Sequence, residues 1–352
     1  MENVKDFLKR KDIVITPQRY LIEALGAMAQ GLFASLLIGT ILNTLGQQLG
    51  VEALTTIGGY ASAMSGPAMA CAIGCALHAP NLVLFSLVTV GWASNSLGGA
   101  GGPLAVLLIA IVAAELGKAV SKETKIDILV TPLVTIFAGV ALALLIAAPI
   151  GEAANRVGTL IMWATEQSPL IMGILVSVIV GVALTLPISS AAICAALGLT
   201  GLAGGAAVAG CCAQMVGFAM MSYRENGVGG LVSQGLGTSM LQMGNIVRNP
   251  RIWIAPTLAS AITGPLATCL FHFQMNGAAV SSGMGTCGLV GPIGVYTGWV
   301  SDMASGAKAA ITPWDWAAMV LLCFVLPALL SVLFCEIERK MGWIKEGDLK
   351  LN

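Results

Sequence analysis

Long apolar runs separated by short polar segments dominate the pattern of this chain. No Asp, Glu, Lys or Arg occurs in residues 53–114, 167–223 or 252–301. These stretches hold 62, 57 and 50 residues, whereas one membrane-spanning helix needs about 20 apolar residues. Each stretch therefore accommodates two or three crossings or re-entrant pieces, and the pattern predicts an all-α integral membrane protein.

The apolar runs divide into candidate spans and two irregular regions. Residues 188–246 are apolar but rich in glycine, which predicts one or two crossings and a broken or re-entrant element. Residues 276–298 predict a second re-entrant hairpin. Together the pattern predicts about 8–10 transmembrane helices plus two re-entrant hairpins. The regular candidate spans are 22–45, 53–77, 81–97, 103–117, 128–150, 169–187, 252–274 and 316–335.

The segment 151–169 separates a regular half from an irregular half. Before it the spans are regular, and after it come Gly and Pro interruptions and most of the intramembrane polar residues. We therefore expect a scaffold domain and a substrate-binding transport domain, flanked by an amphipathic N-terminal segment and a C-terminal tail, both cytoplasmic. The predicted boundaries are 1–20 for the N-terminal segment, 21–165 for the scaffold, 166–340 for the transport domain and 341–352 for the tail.

The distribution of basic residues predicts the orientation. Fourteen of the seventeen Lys and Arg residues fall in four segments that a single membrane topology places in the cytoplasm, with both termini inside. In this topology Arg156, Arg224 and Lys308 lie outside the cell or within the membrane. The fourteen are Lys5, Lys9, Arg10, Lys11, Arg19, Lys118, Lys122, Lys125, Arg248, Arg251, Arg339, Lys340, Lys345 and Lys350.

Composition excludes several classes of protein. Charged residues make up 10% of the chain, against about 25% in soluble domains, and the formal net charge is zero, so no nucleic-acid partner is expected. Most of the nine cysteines lie in apolar runs, where they act as small packing residues. Neither a metal site nor any other cofactor is predicted. Motifs of common enzymes are missing, so we expect no catalytic residues.

Two similar glycine motifs interrupt the second half. Residues 234–241 read QGLGTSML and residues 282–289 read SGMGTCGL, so each contains Gly-x-Gly-Thr. Broken helices within a membrane are tolerated where protein buries them or where they line a cavity. Transporters use such half-helix ends to contact their substrate. The motifs therefore predict a solute site that includes Thr238 and Thr286 and lies where the two segments approach each other near the membrane midplane. Alternatively, the glycines only permit tight helix packing.

Further polar residues in this half are candidates for the same site. Glu225 could accept hydrogen bonds from hydroxyl groups of a solute or carry a proton, although SYRENG, residues 222–227, also fits a turn at the membrane surface. We expect Glu225 and His272 to reach the gap between the two motifs. On a continuous helix Thr238 would share a face with Gln234 and with Gln242; these amides could instead join helices. The predicted substrate-binding set is Arg224, Glu225, Asn226, Gln234, Thr238, Gln242, His272, Asn276, Ser282 and Thr286.

Several segments resemble the membrane subunit IIC of bacterial sugar phosphotransferase systems. Residues 103–150 resemble its fructose branch, in which a lysine-containing loop precedes a P-x-P-L-like span start. Segments of the second half, among them TLPISSAAICAALGL, NPRIWIAPTLAS and GMGTCGLVGPIG, are similar to a divergent branch labelled as toxin regulators of the perfringolysin-regulator type. The glucose-type Gly-Ile-Thr-Glu-Pro run is not present; the corresponding region offers Gly285, Thr286 and Cys287.

The resemblance implies a homodimeric transporter. Its N-terminal spans would form the dimer scaffold, its C-terminal spans would move the solute across the membrane, and a separate IIB-type protein would be a further partner. We therefore predict a transporter of a small polar solute, a sugar or sugar-like molecule, in the bilayer of the bacterial cell membrane. The alternatives are a membrane-embedded solute sensor or regulator and an ion-coupled carrier for a non-sugar anion.

Overall fold

Short turns join the apolar runs, which are helical in the computed structural model of residues 4–351. Residues 1–3 and 352 of the predicted terminal segments lie outside the described residues. The chain forms two compact units, the first ending at Ala153 and the second beginning at Ala154. This boundary falls within one 39-residue helix, Asp127–Thr165.

Antiparallel hairpins build the first unit. Glycines let neighbouring helices approach closely: a Cβ on Gly39 would lie 2.3 Å from Ser62 Oγ, and one on Gly117 would lie 2.9 Å from the side chain of Val83. Small residues permit such close backbone approach in membrane helices. The helices of this unit are α1 Val4–Arg10, α2 Gln18–Leu49, α3 Glu52–Ala63, α4 Ser65–Ala76, α5 Asn81–Gly98, α6 Gly102–Val120 and, as far as Ala153, α7 Asp127–Thr165.

Polar contacts fix the segment between α1 and α2 to one loop and one helix end of the same unit. Arg19 forms a two-pronged ion pair with Asp12, at 3.0 and 2.6 Å, and this guanidinium holds the pKa of the Asp12 carboxyl well below its usual range. Lys118, 2% exposed, donates from Nζ to the carbonyl oxygens of Asp12 at 2.7 Å and Leu77 at 2.8 Å. The N-terminal segment is therefore attached to the loop that follows α4 and to the last turn of α6.

Small residues also line the core of the second unit. Gly210 of α10 packs on Ser177 of α8, and its carbonyl oxygen accepts a hydrogen bond from Ser260 Oγ of α13 at 3.2 Å. Gly217 packs on Ser331 of α15. The helices of this unit are α8 Pro169–Thr185, α9 Ser190–Ala196, α10 Gly201–Met221, α11 Tyr223–Val232, α12 Met243–Arg248, α13 Pro250–Leu270, α14 Val290–Ala304 and α15 Pro313–Lys340.

Contacts beyond the helix ends define two ends of the second unit. At one of them, which we name the bridge end, Gly201 at the start of α10 forms an antiparallel bridge with Met275, just after α13. At the other, which we name the tail end, Asn249 just before α13 donates to the carbonyl oxygen of Trp343, just after α15, at 2.9 Å. Helices α13 and α15 therefore run between these ends in opposite directions.

The predicted all-α integral membrane fold is confirmed. Residues 4–351 form no β-strand beyond that isolated bridge, and six helical stretches are long and apolar enough to cross a membrane. One of these stretches, Asn81–Val120, is itself the hairpin of α5 and α6, and two shorter apolar helices, Ser65–Ala76 and Pro169–Thr185, accompany the six. The count of 8–10 crossings and the two re-entrant hairpins stay predictions.

Candidate solute site

The two Gly-x-Gly-Thr segments touch, which confirms their predicted approach. Thr286 Oγ1 donates a hydrogen bond to the carbonyl oxygen of Gly235 at 2.5 Å, and both residues are buried. Local backbone geometry produces this contact. Residues 233–237 form a π-helical turn, Thr238 is extended at φ −157° and ψ 139°, and Gly285 adopts φ 53°, which favours glycine. Breaks of this kind expose backbone groups that a regular helix would pair internally.

The contact lies halfway along a long apolar helix. A Cβ on Gly285 would come within 2.7 Å of the Cβ of Cys211, and Cys211 is the central residue of α10, Gly201–Met221. At 1.5 Å per residue, the contact is roughly 15 Å along the helix from either end of α10. The two motifs therefore meet between the bridge end and the tail end of the second unit.

Neighbouring hydroxyl groups already bind backbone atoms. Thr238 Oγ1 accepts a hydrogen bond from the backbone N–H of Met240 at 3.2 Å and so caps the following 3₁₀ turn. Ser282 Oγ donates to the carbonyl oxygen of Leu199 at 2.6 Å. Both hydroxyls are at least nine-tenths buried, so a solute would have to compete with these bonds or displace them.

The extended backbone at Thr238 changes how the amides meet. On a continuous helix Gln234 would face Thr238; instead Gln234 Oε1 accepts from Gln242 Nε2 at 2.8 Å. Gln234 also donates to Ser222 Oγ at 2.8 Å, and Asn245 Nδ2 donates to Gln242 Oε1 at 2.7 Å. The expected i, i+4 pairs are thus replaced by one chain of buried amides that runs toward the tail end.

Sequence reasoning missed a second buried polar network, centred on Gln214 of α10. Gln214 is fully buried, and its Oε1 accepts from Trp253 Nε1 at 2.9 Å. Thr185 Oγ1 lies 3.4 Å from the same oxygen and 2.8 Å from Ser239 Oγ, the residue next to Thr238. A single glutamine within an otherwise apolar run was the available signal. This network connects α8, α10 and α13 to the first glycine motif.

Glu225 and Asn226 bind the C-terminal segment 343–351, which we name the tail segment. Glu225 Oε2 accepts from the backbone N–H of Leu349 at 2.9 Å, and its Oε1 accepts from Arg339 at 2.8 Å. Asn226 donates to the carbonyl oxygen of Leu349 at 2.8 Å and accepts from the N–H of Leu351 at 2.8 Å. These side chains recognise main-chain groups of the tail segment.

The amide chain completes the same groove. Gln242 Nε2 donates to the carbonyl oxygen of Leu349 and Asn245 Nδ2 donates to that of Lys350, each at 2.9 Å. Leu349 is 0% exposed. The tail segment therefore fills the polar groove formed by Glu225, Asn226, Gln242 and Asn245, which we name the tail groove.

Arg224 lies at the same end, apart from the groove. It pairs with Glu336 of α15 at 2.8 Å, and its side chain is 70% exposed. The predicted topology separated Arg224 from the cytoplasmic basic residues of the C-terminal tail. The structure instead places Arg224 beside Glu336, three residues from Arg339. The turn after α10 is the reason, because it brings Arg224 back to the end of α15.

His272 and Asn276 lie at the bridge end. His272 is exposed at φ 46°, and Asn276 Nδ2 donates to Asp302 Oδ2 at 2.8 Å. Both line a cavity that includes neither glycine motif. Glu225 and His272 thus lie at opposite ends of α13 and α15 and do not share one gap. Among residues 4–351, no group of three or more His, Cys, Asp or Glu side chains is placed to hold a metal ion.

Comparison with known proteins identifies one family. The model of the family described as "Phosphotransferase system, EIIC" matches residues 22–351. This match covers both compact units and nearly the whole chain. No curated protein and no solved structure matches the sequence.

Proposed function

Because the chain belongs to the phosphotransferase system EIIC family, we propose that it carries a small polar solute, a sugar or sugar-like molecule, across the bacterial cell membrane. The family makes the chain a membrane transport component of a sugar phosphotransferase system. In the mechanism that we propose, a substrate domain over residues 166–340 moves against a scaffold over residues 21–165. The contact between the two glycine motifs is the observation that carries this proposal.

The proposed solute site surrounds that contact. Thr238, Ser282 and Thr286 would offer hydroxyls to the solute, and Gln234 would add an amide. The support is geometric: backbone breaks at Thr238 and Gly285 occur halfway along α10, where unpaired groups are tolerated only beside protein or water. A solute that reaches this point would find hydrogen-bonding groups from two segments at once.

In this mechanism the tail groove opens toward the solute only when the tail segment leaves it. In the present arrangement Glu225, Asn226 and Gln242 form hydrogen bonds with Leu349 and Leu351. All of these bonds go to main-chain atoms of the tail segment. Hydroxyl groups of a solute could take over the same donors and acceptors, which supports a role for these side chains in a second state.

We also propose a homodimer built on the scaffold and a separate IIB-type partner. Helix α7 supports the dimer, because Leu133, Phe137 and Leu144 are 70%, 76% and 67% exposed on it and can face lipid or a second copy. Cysteines at Leu133 or Phe137 would crosslink within a dimer seam on this helix. A monomer in nanodiscs, or crosslinking only through residues 220–290, would contradict this arrangement.

The proposed orientation places both termini in the cytoplasm. The positive-inside rule favours this orientation because the tail end holds Arg248, Arg251 and Arg339, whereas Lys308 is near the bridge end. Single cysteines at positions 5 and 345, in a background without native cysteines, should react with a maleimide only after the membrane is permeabilised. Labelling of intact cells at either position would overturn the orientation.

Uptake into proteoliposomes tests the proposed function. Radiolabelled neutral sugars, supplied with and without a phosphorylating partner extract, should accumulate only in vesicles that contain the protein. The double variant Thr238→Val, Thr286→Val keeps the shape of both residues and removes two hydroxyls, so we expect weaker binding and slower uptake with the fold retained.

The matched control is Thr263→Val, a buried threonine that bonds within α13, to the carbonyl oxygen of Ser260 at 3.3 Å. It should leave uptake unchanged. Full uptake by the Thr238→Val, Thr286→Val protein would remove the proposed site. Specific binding of a sugar without any uptake would favour the sensor alternative.

A further inference from the structure

A cavity at the bridge end of the second unit combines aromatic walls with polar groups. It has a volume of about 230 Å³, slightly below the ~300–1,000 Å³ of typical small-molecule sites. Most of it is built by the irregular segment after α13 and by the end of α14. Its lining side chains with chemistry to offer are Phe271, His272, Gln274, Asn276, Trp299 and Asp302, with Lys308 and Asp315 at one edge.

The aromatic walls are held by further rings. Trp299, 4% exposed, packs edge-on against Trp316 at 5.6 Å between ring centroids. Phe271 stacks on Trp314 at 5.0 Å. Three of the seven tryptophans in a chain that is only 6% aromatic thus gather around this cavity. Lys308 Nζ lies over the Trp299 ring at 5.9 Å from its centroid, so the half-buried ring of Phe271 is the apolar surface available to C–H groups of a sugar. Because this ring is fixed by packing, it loses little entropy on binding.

Hydrogen-bonding capacity remains on the polar side. Asp302 uses Oδ2 to accept from Asn276 at 2.8 Å, and its Oδ1 has no partner among residues 4–351. Gln274 accepts from Asn276 through Oε1 at 3.2 Å, which leaves its NH₂ group as a donor. A carboxylate acceptor beside an amide donor matches neighbouring hydroxyls of a polyol.

The charges of the cavity discriminate between solute classes. Lys308 pairs with Asp315 at 2.8 Å, and the lining carries two carboxylates, of Asp302 and Asp315, with this one ammonium group. An anion such as a sugar phosphate would meet repulsion here. We propose that this cavity is a separate binding site for a neutral, hydroxylated solute of monosaccharide size, contacted on the membrane side opposite to the tail segment. The inference rests on the proposed transport function, since it assigns that solute a first site of contact.

Binding to the purified full-length protein in nanodiscs tests this site. Nanodiscs avoid detergents with sugar headgroups, which would compete for it. Titration calorimetry would use glucose, fructose and mannitol as neutral probes, glucuronate and glucose 6-phosphate as anions, and glucosamine as a cation. At least one neutral probe should bind, and both anions should bind at least about tenfold more weakly.

Variants place the binding in the cavity. Asp302→Asn removes the charged acceptor, and Gln274→Ala removes the amide. Each substitution should weaken binding of the neutral probe, and Asp302→Asn should weaken it by at least about tenfold. Ser301→Ala, an exposed neighbour that does not line the cavity, should bind as the native protein does. Melting temperatures near the native value would show that the variants are folded.

The outcomes separate this inference from the proposed function. Unchanged binding in the Asp302→Asn, Gln274→Ala double variant, or binding by none of the neutral probes, overturns the cavity site. If that double variant transports normally while the Thr238→Val, Thr286→Val protein does not, the transport function stands and the cavity inference fails. Preferential binding of glucosamine or of an anion would also overturn it, because the proposed ligand is neutral.

Discussion

The tail groove and the bridge-end cavity are both polar, yet they differ in what satisfies their side chains. In the groove, Glu225 and Gln242 bind main-chain atoms of the tail segment, and Leu349 is fully buried there. In the cavity, Asp302 and Gln274 keep unused hydrogen-bonding groups beside an open volume of about 230 Å³. Helices α13 and α15 span the distance between the two regions.

Residue type alone does not distinguish a binding site from an internal contact. Glutamate, asparagine and glutamine occur in the groove, and aspartate, asparagine and glutamine occur in the cavity. A buried polar group without a partner is costly, so a groove that its own chain has filled contributes to stability. A cavity with spare donors and acceptors contributes little to stability and can bind a solute. Substitutions in the two regions should therefore affect different measurements.

Glu225→Gln should produce the largest loss of stability. The side chains of Glu225 and Arg339 are 6% and 17% exposed, and removing one partner of a buried ion pair costs about 3–5 kcal/mol. Thermal unfolding in nanodiscs measures the loss. The control is the adjacent Arg224→Gln, whose pair with Glu336 is 70% and 37% exposed and should change stability by less than about 1 kcal/mol. Equal effects of the two substitutions would contradict the groove as described.

Leu349→Ala should loosen the tail segment. The side chain is 0% exposed, and truncating a buried leucine costs about 2–5 kcal/mol. The segment should become a protease target, which mass spectrometry of limited digests would detect. Leu270→Ala, at the bridge end and 54% exposed, serves as the control. An unchanged digest of the Leu349→Ala protein would show that side-chain burial does not hold the segment.

Gly285→Ala tests the region between the groove and the cavity. The new Cβ would approach Cys211 Cβ to 2.7 Å at φ 53°, so overpacking should cost about 1–3 kcal/mol. Transport should fall together with the melting temperature. Gly229→Ala on α11, which has open space around it, should leave both values near native. A native melting temperature for Gly285→Ala would mean that the motifs are packed more loosely than described.

One residue type gives the closest comparison of the two regions. Gln242→Ala removes an amide with three buried hydrogen bonds and should cost about 1–3 kcal/mol, the penalty for unpaired buried partners. Gln274→Ala removes an exposed amide in the cavity and should stay within about 0.5 kcal/mol of native stability. Paired melting curves would settle the comparison, and a reversed order would remove the distinction between a filled groove and an open cavity.

Local patterns in the sequence predicted much of the fold. Uncharged runs predicted the helices. The repeated Gly-x-Gly-Thr motif predicted the contact between Gly235 and Thr286. In each case the physical cause acts within a few residues or is repeated along the chain, so it is visible without coordinates.

Contacts between residues far apart in the chain could not be predicted from local sequence patterns. Asn226 and Leu351 are 125 residues apart, and no pattern in either segment indicates the other. The aromatic cavity escaped notice for the same reason, because Phe271, Trp299 and Trp314 are distant in sequence. The importance of Gln214 also depends on neighbours, since only packing brings Trp253 and Thr185 to it.

The same separation along the chain has a consequence for biosynthesis. The ribosome completes Leu351 after it has added 125 residues beyond Asn226. At ~5–20 residues per second this takes roughly 6–25 s. During that interval the carboxylate and amides of the tail groove have no tail segment to bind, and water or the insertion machinery must pair with them. The groove is therefore among the last parts of the second unit to mature, and quality-control proteases could recognise chains whose tail segment has not yet arrived.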